Sequence, residues 1–131
     1  SMNLTDDLLS LISLTVTCGT ERPQKATIKL NIEGENYEVE STGDGPVDAV
    51  FKSINKIFTH SAKLQHFQIH SVTEGTDAQA TVSVRLEEKG KMVTGQASDT
   101  DTVVASAKAY INALNKLTIK RKKGLPEAIT Q

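Results

Sequence analysis

Residues 26–33, which read ATIKLNIE, and residues 80–87, which read ATVSVRLE, decide the fold, because they are two copies of one strand pattern. In both copies apolar and polar side chains alternate, which is typical of a strand with one buried face. A turn with glycine follows each copy, at Gly34 and at Gly90, and the alternation then resumes. Each copy therefore predicts a β-hairpin, and the repetition indicates that one structural unit occurs twice.

Each hairpin leads into a helix with its own start signal, GDGPVDA at residues 43–49 and SDTDTVV at residues 98–104. Apolar residues then recur at steps of three and four, which marks a helix face that lies on a sheet. The second helix is predicted over about 101–117. Another alternating strand precedes each copy, at 13–17 and around Phe67 and Ile69. The fold class is therefore α+β, with two pseudo-repeated βββα units whose helices pack on antiparallel sheets.

Composition bounds the class of protein. The 131 residues carry 15 Lys and Arg against 16 Asp and Glu, so the charge gives no indication of nucleic acid or a membrane as a partner. No apolar run approaches the roughly 20 residues that span a bilayer, and the single cysteine, Cys18, excludes an internal disulfide framework. We expect a soluble, cytoplasmic protein, with Cys18 as a minor packing residue.

The length suits one domain. We place it at residues 13–117, as an internal repeat of 13–60 and 63–117. Residues 1–12 have apolar positions at helical spacing over a short stretch and are interpreted as an N-terminal linker remnant. Residues 118–131 include the run from Lys120 to Lys123 and are interpreted as a basic flexible tail, solvated rather than bound to phosphates.

Two glycine-containing segments are candidate binding sites. At the first helix start, Gly43 and Gly45 let the backbone approach a ligand, and the free N–H groups favour a carboxylate or phosphate. The alternative is a turn with a helix cap. In the second segment, residues 75–80, the small side chains of Ala78 and Ala80 leave space. The alternative there is turn chemistry, in which Asp77 bonds its own backbone.

Other polar residues have simpler interpretations. His66 and His70 share one strand face and supply half of a metal site, but no third ligand stands at a recognisable spacing, so solvent-facing histidines are expected. Asp99 and Asp101 form a possible carboxylate pair, yet both stand where a helix start favours negative charge, so capping is expected. The sequence therefore predicts no catalytic residues, no metal and no cofactor in this chain.

With these segments in hand, the chain resembles the C-terminal regulatory domain of 2-isopropylmalate synthases and the related citramalate synthases. The resemblance rests on residues 43–49, 74–79 and 99–115, and it covers about residues 13–117. In that family the domain forms a homodimer and binds the end product of the pathway, leucine or, in many citramalate synthases, isoleucine. The bound amino acid inhibits a catalytic barrel elsewhere in the full-length chain. The stretch shows none of that barrel, so the resemblance implies no catalysis here.

The resemblance also implies an effector site for a branched-chain amino acid. It consists of the first helix start, an apolar strand and the small-residue segment: Gly43, Asp44, Gly45, Pro46, Val47, Asp48, Leu64, Phe67, Ser71, Asp77, Ala78 and Ala80. Backbone N–H groups at Gly45, Val47 and Asp48 would hold the carboxylate. Asp44, Asp48, Asp77 or nearby carbonyl groups would accept from the ammonium, and the apolar residues would hold the side chain.

Leucine ranks first as effector, because residues 73–115 look closer to the isopropylmalate synthases, and isoleucine is the alternative. The predicted function is feedback inhibition of 2-isopropylmalate synthase in leucine biosynthesis. The predicted partners are the amino acid, a second copy of the chain and the catalytic domain. Two other functions stay open. One is a dimerisation module without ligand, and the other is a small enzyme that uses Asp77, Asp99 and the histidines.

Overall fold

The computed structural model describes residues 7–21, 23–72 and 78–124. The elements follow in the order β1 (Leu9–Thr17), β2 (Gln24–Ile32), β3 (Glu35–Gly43), α1 (Pro46–Ile57), β4 (Lys63–Val72), β5 (Ala80–Glu88), β6 (Lys91–Asp99) and α2 (Thr102–Gly124). The strands β1, β2 and β3 form one antiparallel sheet in that order, and β4, β5 and β6 form a second one. The two predicted βββα units are confirmed.

The two hairpins close with the same turn. Glu33 and Gly34 have φ angles of 51° and 90°, and Lys89 and Gly90 have φ angles of 51° and 81°. Two successive left-handed residues make a type I′ turn, whose twist matches that of the flanking strands. The glycine in each turn is needed for this conformation.

One core joins both units. From the central strands it takes Ala26, Ile28 and Leu30 on β2 and Val82, Val84 and Leu86 on β5, all fully buried. Helix α1 packs on β2 and β3, helix α2 packs on β5 and β6, and the helices contact each other. At Gly95 of β6 a Cβ atom would clash with the backbone of Ala109 and Ala113, so α2 approaches its sheet more closely than a larger residue would permit.

Strand β1 begins earlier than the sequence predicts. Residues 9–12 are strand rather than linker, and Leu9 is 1% exposed. The register shifts between Leu11 and Ser13, so Leu11 lies opposite Leu30 and Leu14 opposite Ile28. Because a bulge adds one residue, the inward-facing side chains are three apart at this point. Regular alternation back from Val16 and Leu14 would place Ile12 on the inner face, but the bulge places Leu11 there, so the pattern that predicts this strand stops at residue 13.

Helix α2 ends later than the sequence predicts. It runs to Gly124 instead of ending at residue 117, so residues 118–124 are helical rather than a tail. A glycine is common just where a helix stops. The rest of the predicted tail, 125–131, lies outside the described residues. Among the described residues, no helix is long and apolar enough to cross a membrane.

Candidate functional site

The start of α1 lacks a side-chain cap. Its N-cap residue, Gly45, is extended (φ −157°, ψ 174°) and offers no side chain to the helix, and Pro46 occupies the first helical position. The first helical N–H groups normally need an acceptor from a cap, from water or from a ligand. In this helix the N–H of Ala49 is the first that bonds back, to the Gly45 carbonyl at 2.9 Å. The N–H groups of Val47 and Asp48 therefore have no side-chain cap.

The start of α2 is capped by its own residues. Asp101 Oδ1 accepts the N–H groups of Val103 at 2.7 Å and Val104 at 3.1 Å. Asp99 supports this cap, since its Oδ1 accepts the Asp101 N–H at 2.9 Å and its Oδ2 pairs with Lys108 Nζ at 3.0 Å. The predicted capping role is confirmed for Asp101, whereas Asp99 is the last residue of β6 and binds the N–H of the cap residue rather than a helical one. The two equivalent helix starts thus differ in what satisfies their N–H groups.

Asp48 holds the loop before α1 in place. Its Oδ2 accepts the Asp44 N–H at 2.9 Å and lies 3.1 Å from Lys52 Nζ. The Asp44 N–H, and after it the Lys52 ammonium, lowers the pKa of the Asp48 carboxyl. The side chain is therefore ionised at neutral pH and already has two donors. Asp44, whose side chain is exposed, is the better placed of the two to accept from a ligand ammonium.

The two glycines of this loop have different roles. A Cβ atom on Gly43 would clash with the backbone of Ala49 and would lie 2.8 Å from Asp48 Oδ2, so Gly43 lets β3 end directly against the helix. A Cβ atom on Gly45 would meet nothing within 4 Å. Since the φ of Gly45 is one that any residue adopts, neither conformation nor internal packing requires glycine there. The space beside Gly45 is open.

Strand β4 presents an apolar face that α2 does not cover. Phe67 lies opposite Val84 and Ile69 opposite Val82, on the inner side of the sheet, as predicted. Leu64 is 48% exposed and Ile69 is 45% exposed. Phe67 is half-buried and meets α1 through Phe51, with the ring centroids 6.1 Å apart and the planes at 76°. This contact brings the apolar strand to the helix that starts at the uncapped loop.

The small-residue segment is described only in part. Asp77 lies outside the described residues, as does the side chain of Ser71. Ala78 is half-buried, and Ala80 is buried in β5 between Val72 and Asp99 on the neighbouring strands. The register is interrupted between Ile69 and Val72, so Val72 takes the position opposite Ala80 that regular alternation would give to Ser71. The pairing of β4 with β5 is therefore irregular at the end of β4.

Other residues singled out in the sequence have local roles. His66 and His70 are exposed; His66 Nε2 lies 2.9 Å from Gln68 Oε1, and His70 Nε2 lies 2.6 Å from Ser83 Oγ. Within the described part of the chain, no group of three His, Cys, Asp or Glu residues could hold a metal ion. Cys18 is exposed rather than packed.

Two clefts are lined by other residues. One of about 460 Å³ lies at the end of β1, between Cys18 and Thr42, and one of about 300 Å³ lies between β1 and α2, beside Leu9 and Asn112. The residues that line them belong neither to the α1 start nor to the apolar face of β4. Phe51, which joins α1 to β4, is not among the site residues predicted from the sequence and belongs to the apolar residues that recur along the first helix. Its spacing of four from Val47 is the signal that puts both on one helix face.

A family model described as "LeuA allosteric (dimerisation) domain" matches residues 1–118. The chain belongs to this family. It is 55% identical over 120 residues to a 2-isopropylmalate synthase of Rhodopseudomonas palustris (strain BisB18), covering 92% of this chain and 23% of the relative. A 2-isopropylmalate synthase of Nitrobacter winogradskyi is 52% identical over 127 residues, covering 97% of this chain and 24% of the relative. The chain thus spans about a quarter of the length of the relatives that it matches.

Proposed function

We propose that this LeuA domain binds a branched-chain amino acid, leucine first, between the start of α1 and the apolar face of β4, and that it acts as the feedback-regulated part of a 2-isopropylmalate synthase. The matched relatives carry that enzyme name, and the family is described as allosteric and dimerising. The domain itself has no catalytic role in this proposal. Isoleucine, as in a citramalate synthase, is the alternative effector.

The observation that carries the proposal is the difference between the two helix starts. In the second unit Asp101 fills the position that Gly45 occupies in the first, and its carboxylate binds the first helical N–H groups. In the first unit that carboxylate is missing, and the space beside Gly45 is open. A free amino acid brings a carboxylate of its own. At the α1 start it would take the N–H groups of Val47 and Asp48, as Asp101 does for α2.

The rest of the ligand fits the neighbouring groups. An ammonium group next to the bound carboxylate would lie near Asp44, whose side chain is exposed. The aliphatic side chain needs an apolar wall, and the exposed face of β4 offers one through Leu64, Phe67 and Ile69. In a dimer the second copy would complete the enclosure of this face. Binding would then regulate the enzyme because the ligand favours one arrangement of the dimer over another.

Calorimetric titration of this chain with leucine, isoleucine and valine tests the proposal. We expect saturable binding with leucine favoured, because a misplaced methyl group costs about 1–3 kcal/mol in a fitted pocket. The variant Gly45→Asp should lose at least about tenfold in affinity, since its side chain would cap α1 and exclude the ligand carboxylate. Near-UV circular dichroism should show that the variant is folded.

The matched control is Gly19→Asp, the same change at an exposed glycine where a Cβ atom also meets nothing within 4 Å. It should leave leucine affinity unchanged. If Gly45→Asp binds leucine as tightly as the unmodified chain does, the site lies elsewhere. If a dimer forms but none of the three amino acids gives heat, the domain is a dimerisation module without ligand.

A further inference from the structure

Tyr110, in the middle of α2, contacts α1 directly and reaches β4 through Phe51. Its ring stacks on Phe51 of α1, with the centroids 4.1 Å apart and the planes at 14°. Phe51 in turn meets Phe67 of β4 at 6.1 Å. Tyr110 is 4% exposed and Phe51 is 8% exposed, so the three rings are packed against the core rather than stacked on the surface. An unbroken aromatic contact therefore runs from α2 to the apolar face of β4.

The hydroxyl end of Tyr110 is held as firmly as its ring. It donates to Asn55 Oδ1 on α1 at 2.8 Å and lies 3.2 Å from His60 Nε2 in the segment before β4. His60 Nε2 is itself 2.6 Å from Asn55 Oδ1, and His60 Nδ1 accepts the Ala62 N–H at 3.1 Å. An Nδ1 that accepts leaves the proton of a neutral imidazole on Nε2, where it can donate to Asn55. Burial raises the pKa of the Tyr110 phenol, so its hydroxyl remains a donor at neutral pH.

We infer that Tyr110 is a positioning residue for the effector site: held by Asn55 and His60, it fixes Phe51 and through it Phe67, and it transmits occupation of the site to α2. This inference rests on the proposed function for the identity of the site. The contacts that carry it are independent of any ligand. Because Phe67 packs on Phe51 and Phe51 packs on Tyr110, a ligand that pushes Phe67 towards α1 would also displace Phe51 and Tyr110.

The chain offers a direct probe of this link, because it contains two tyrosines and no tryptophan. The other tyrosine, Tyr37, is 44% exposed on β3, and its hydroxyl binds Glu35. In a Tyr37→Phe background, tyrosine fluorescence and the tyrosine band of the near-UV circular dichroism spectrum, which lies at longer wavelength than the phenylalanine bands, report on Tyr110 alone. We expect leucine to change this signal with the same midpoint that calorimetry gives. Saturable heat with an unchanged Tyr110 signal would overturn the inference.

An experiment without ligand tests this inference separately from the proposed function. In the same background, Phe67→Leu removes the ring that meets Phe51, and we expect it to alter the near-UV signal of Tyr110. The exposed Leu64→Ala, on the same strand but outside the ring contact, should not alter it. If calorimetry shows no binding, the proposed function fails, and the comparison of these two variants alone tests whether Phe67 and Tyr110 are linked. An unchanged Tyr110 signal in Phe67→Leu would then contradict the link.

A graded series distinguishes positioning from general stability. Tyr110→Phe keeps the stacked ring and loses the hydroxyl, whereas Tyr110→Leu loses both. We expect leucine affinity to fall about threefold in the first variant and tenfold or more in the second. The control is Leu117→Val, a truncation of a buried residue further along α2. It should lower thermal stability with unchanged affinity. If Leu117→Val loses as much affinity as Tyr110→Leu, Tyr110 acts only as a core residue and the inference is wrong.

Discussion

Equivalent strands of the two units have opposite surroundings, although they pair with their sheets alike. Leu9 of β1 lies opposite Ile32, and Leu64 of β4 lies opposite Leu86, which is the residue equivalent to Ile32 in the repeat. Leu9 is 1% exposed, whereas Leu64 is 48% exposed. The difference therefore comes from what covers the strand and not from the strand itself.

The lengths of the two helices explain why β1 is covered and β4 is exposed. Asn115 of α2 binds the backbone of Leu9 twice, donating to its carbonyl at 2.9 Å and accepting from its N–H at 2.8 Å. Counted from the helix starts, the position equivalent to Asn115 in the first unit is Thr59, which lies beyond the end of α1 at Ile57. No helical residue is therefore available there to cover β4. The first unit thus has a covered strand and an uncapped helix, and the second unit has an exposed strand and a capped helix.

The largest expected effect comes from removing the side chain of α2 that covers β1. Asn115→Ala should leave the buried N–H and carbonyl of Leu9 without partners, at a cost of about 2–4 kcal/mol in the free energy of unfolding. Urea denaturation measures it. Asn112→Ala, which removes the Asn112 Oδ1 that accepts the Gln96 N–H near the surface, is the matched control and should cost less than about 1 kcal/mol. Equal costs would mean that the closure of β1 does not depend on Asn115.

Most of this architecture follows from local sequence rules. The alternation at residues 26–33 and 80–87, the turns at Gly34 and Gly90, and the helix stripes predict the βββα order correctly, because each signal lies within a few neighbouring residues. The failures have local causes too. The bulge in β1 changes the spacing of Leu11 and Leu14, and the register shift between Ile69 and Val72 in β4 places Val72 opposite Ala80. One added residue inverts a pattern of period two.

The candidate site was predictable only where it is made of neighbours in the chain. The loop before α1 could be identified from its glycines and its proline. In the structure its cap residue, Gly45, gives the helix no side-chain cap and has open space beside it. The sequence did not show that this loop differs from the start of α2, because that difference lies in the hydrogen bonds of Asp101. The contact of Phe51 with Tyr110 joins residues far apart in the chain, and no periodicity within one helix predicts such a contact.

A second test concerns the caps. Asp101→Ala should destabilise the domain by about 1 kcal/mol, because two helical N–H groups lose their acceptor. Gly45→Ala changes the equivalent position of α1, where no cap exists and a Cβ atom has space. It should leave the free energy of unfolding within about 0.5 kcal/mol of the unmodified chain. Thermal unfolding without ligand measures both. A comparable loss in Gly45→Ala would show that the α1 start is already optimised as a structural cap.

The smallest expected effect is the pH dependence of the α2 cap. The Asp101 N–H, and after it Lys108, lowers the pKa of the Asp99 carboxyl. A carboxyl whose pKa is lower in the folded state contributes stability above its unfolded pKa, which is about 3.9 for aspartate, and loses it as the pH falls through the folded value. Asp99→Asn should therefore cost about 0.5–1 kcal/mol at pH 7, measured by urea denaturation, and progressively less below about pH 4.

The control for that measurement is Asp48→Asn in the first unit. The pKa of Asp48 is also lowered, but its side chain is 41% exposed against 24% for Asp99, and solvent weakens its pairing with Lys52. Its loss should cost less than that of Asp99 at pH 7. A cost of Asp99→Asn that persists unchanged at pH 3 would show that the side chain acts through packing rather than through its charge. A cost that falls as the pH is lowered would instead show that the negative charge of Asp99 stabilises the start of α2.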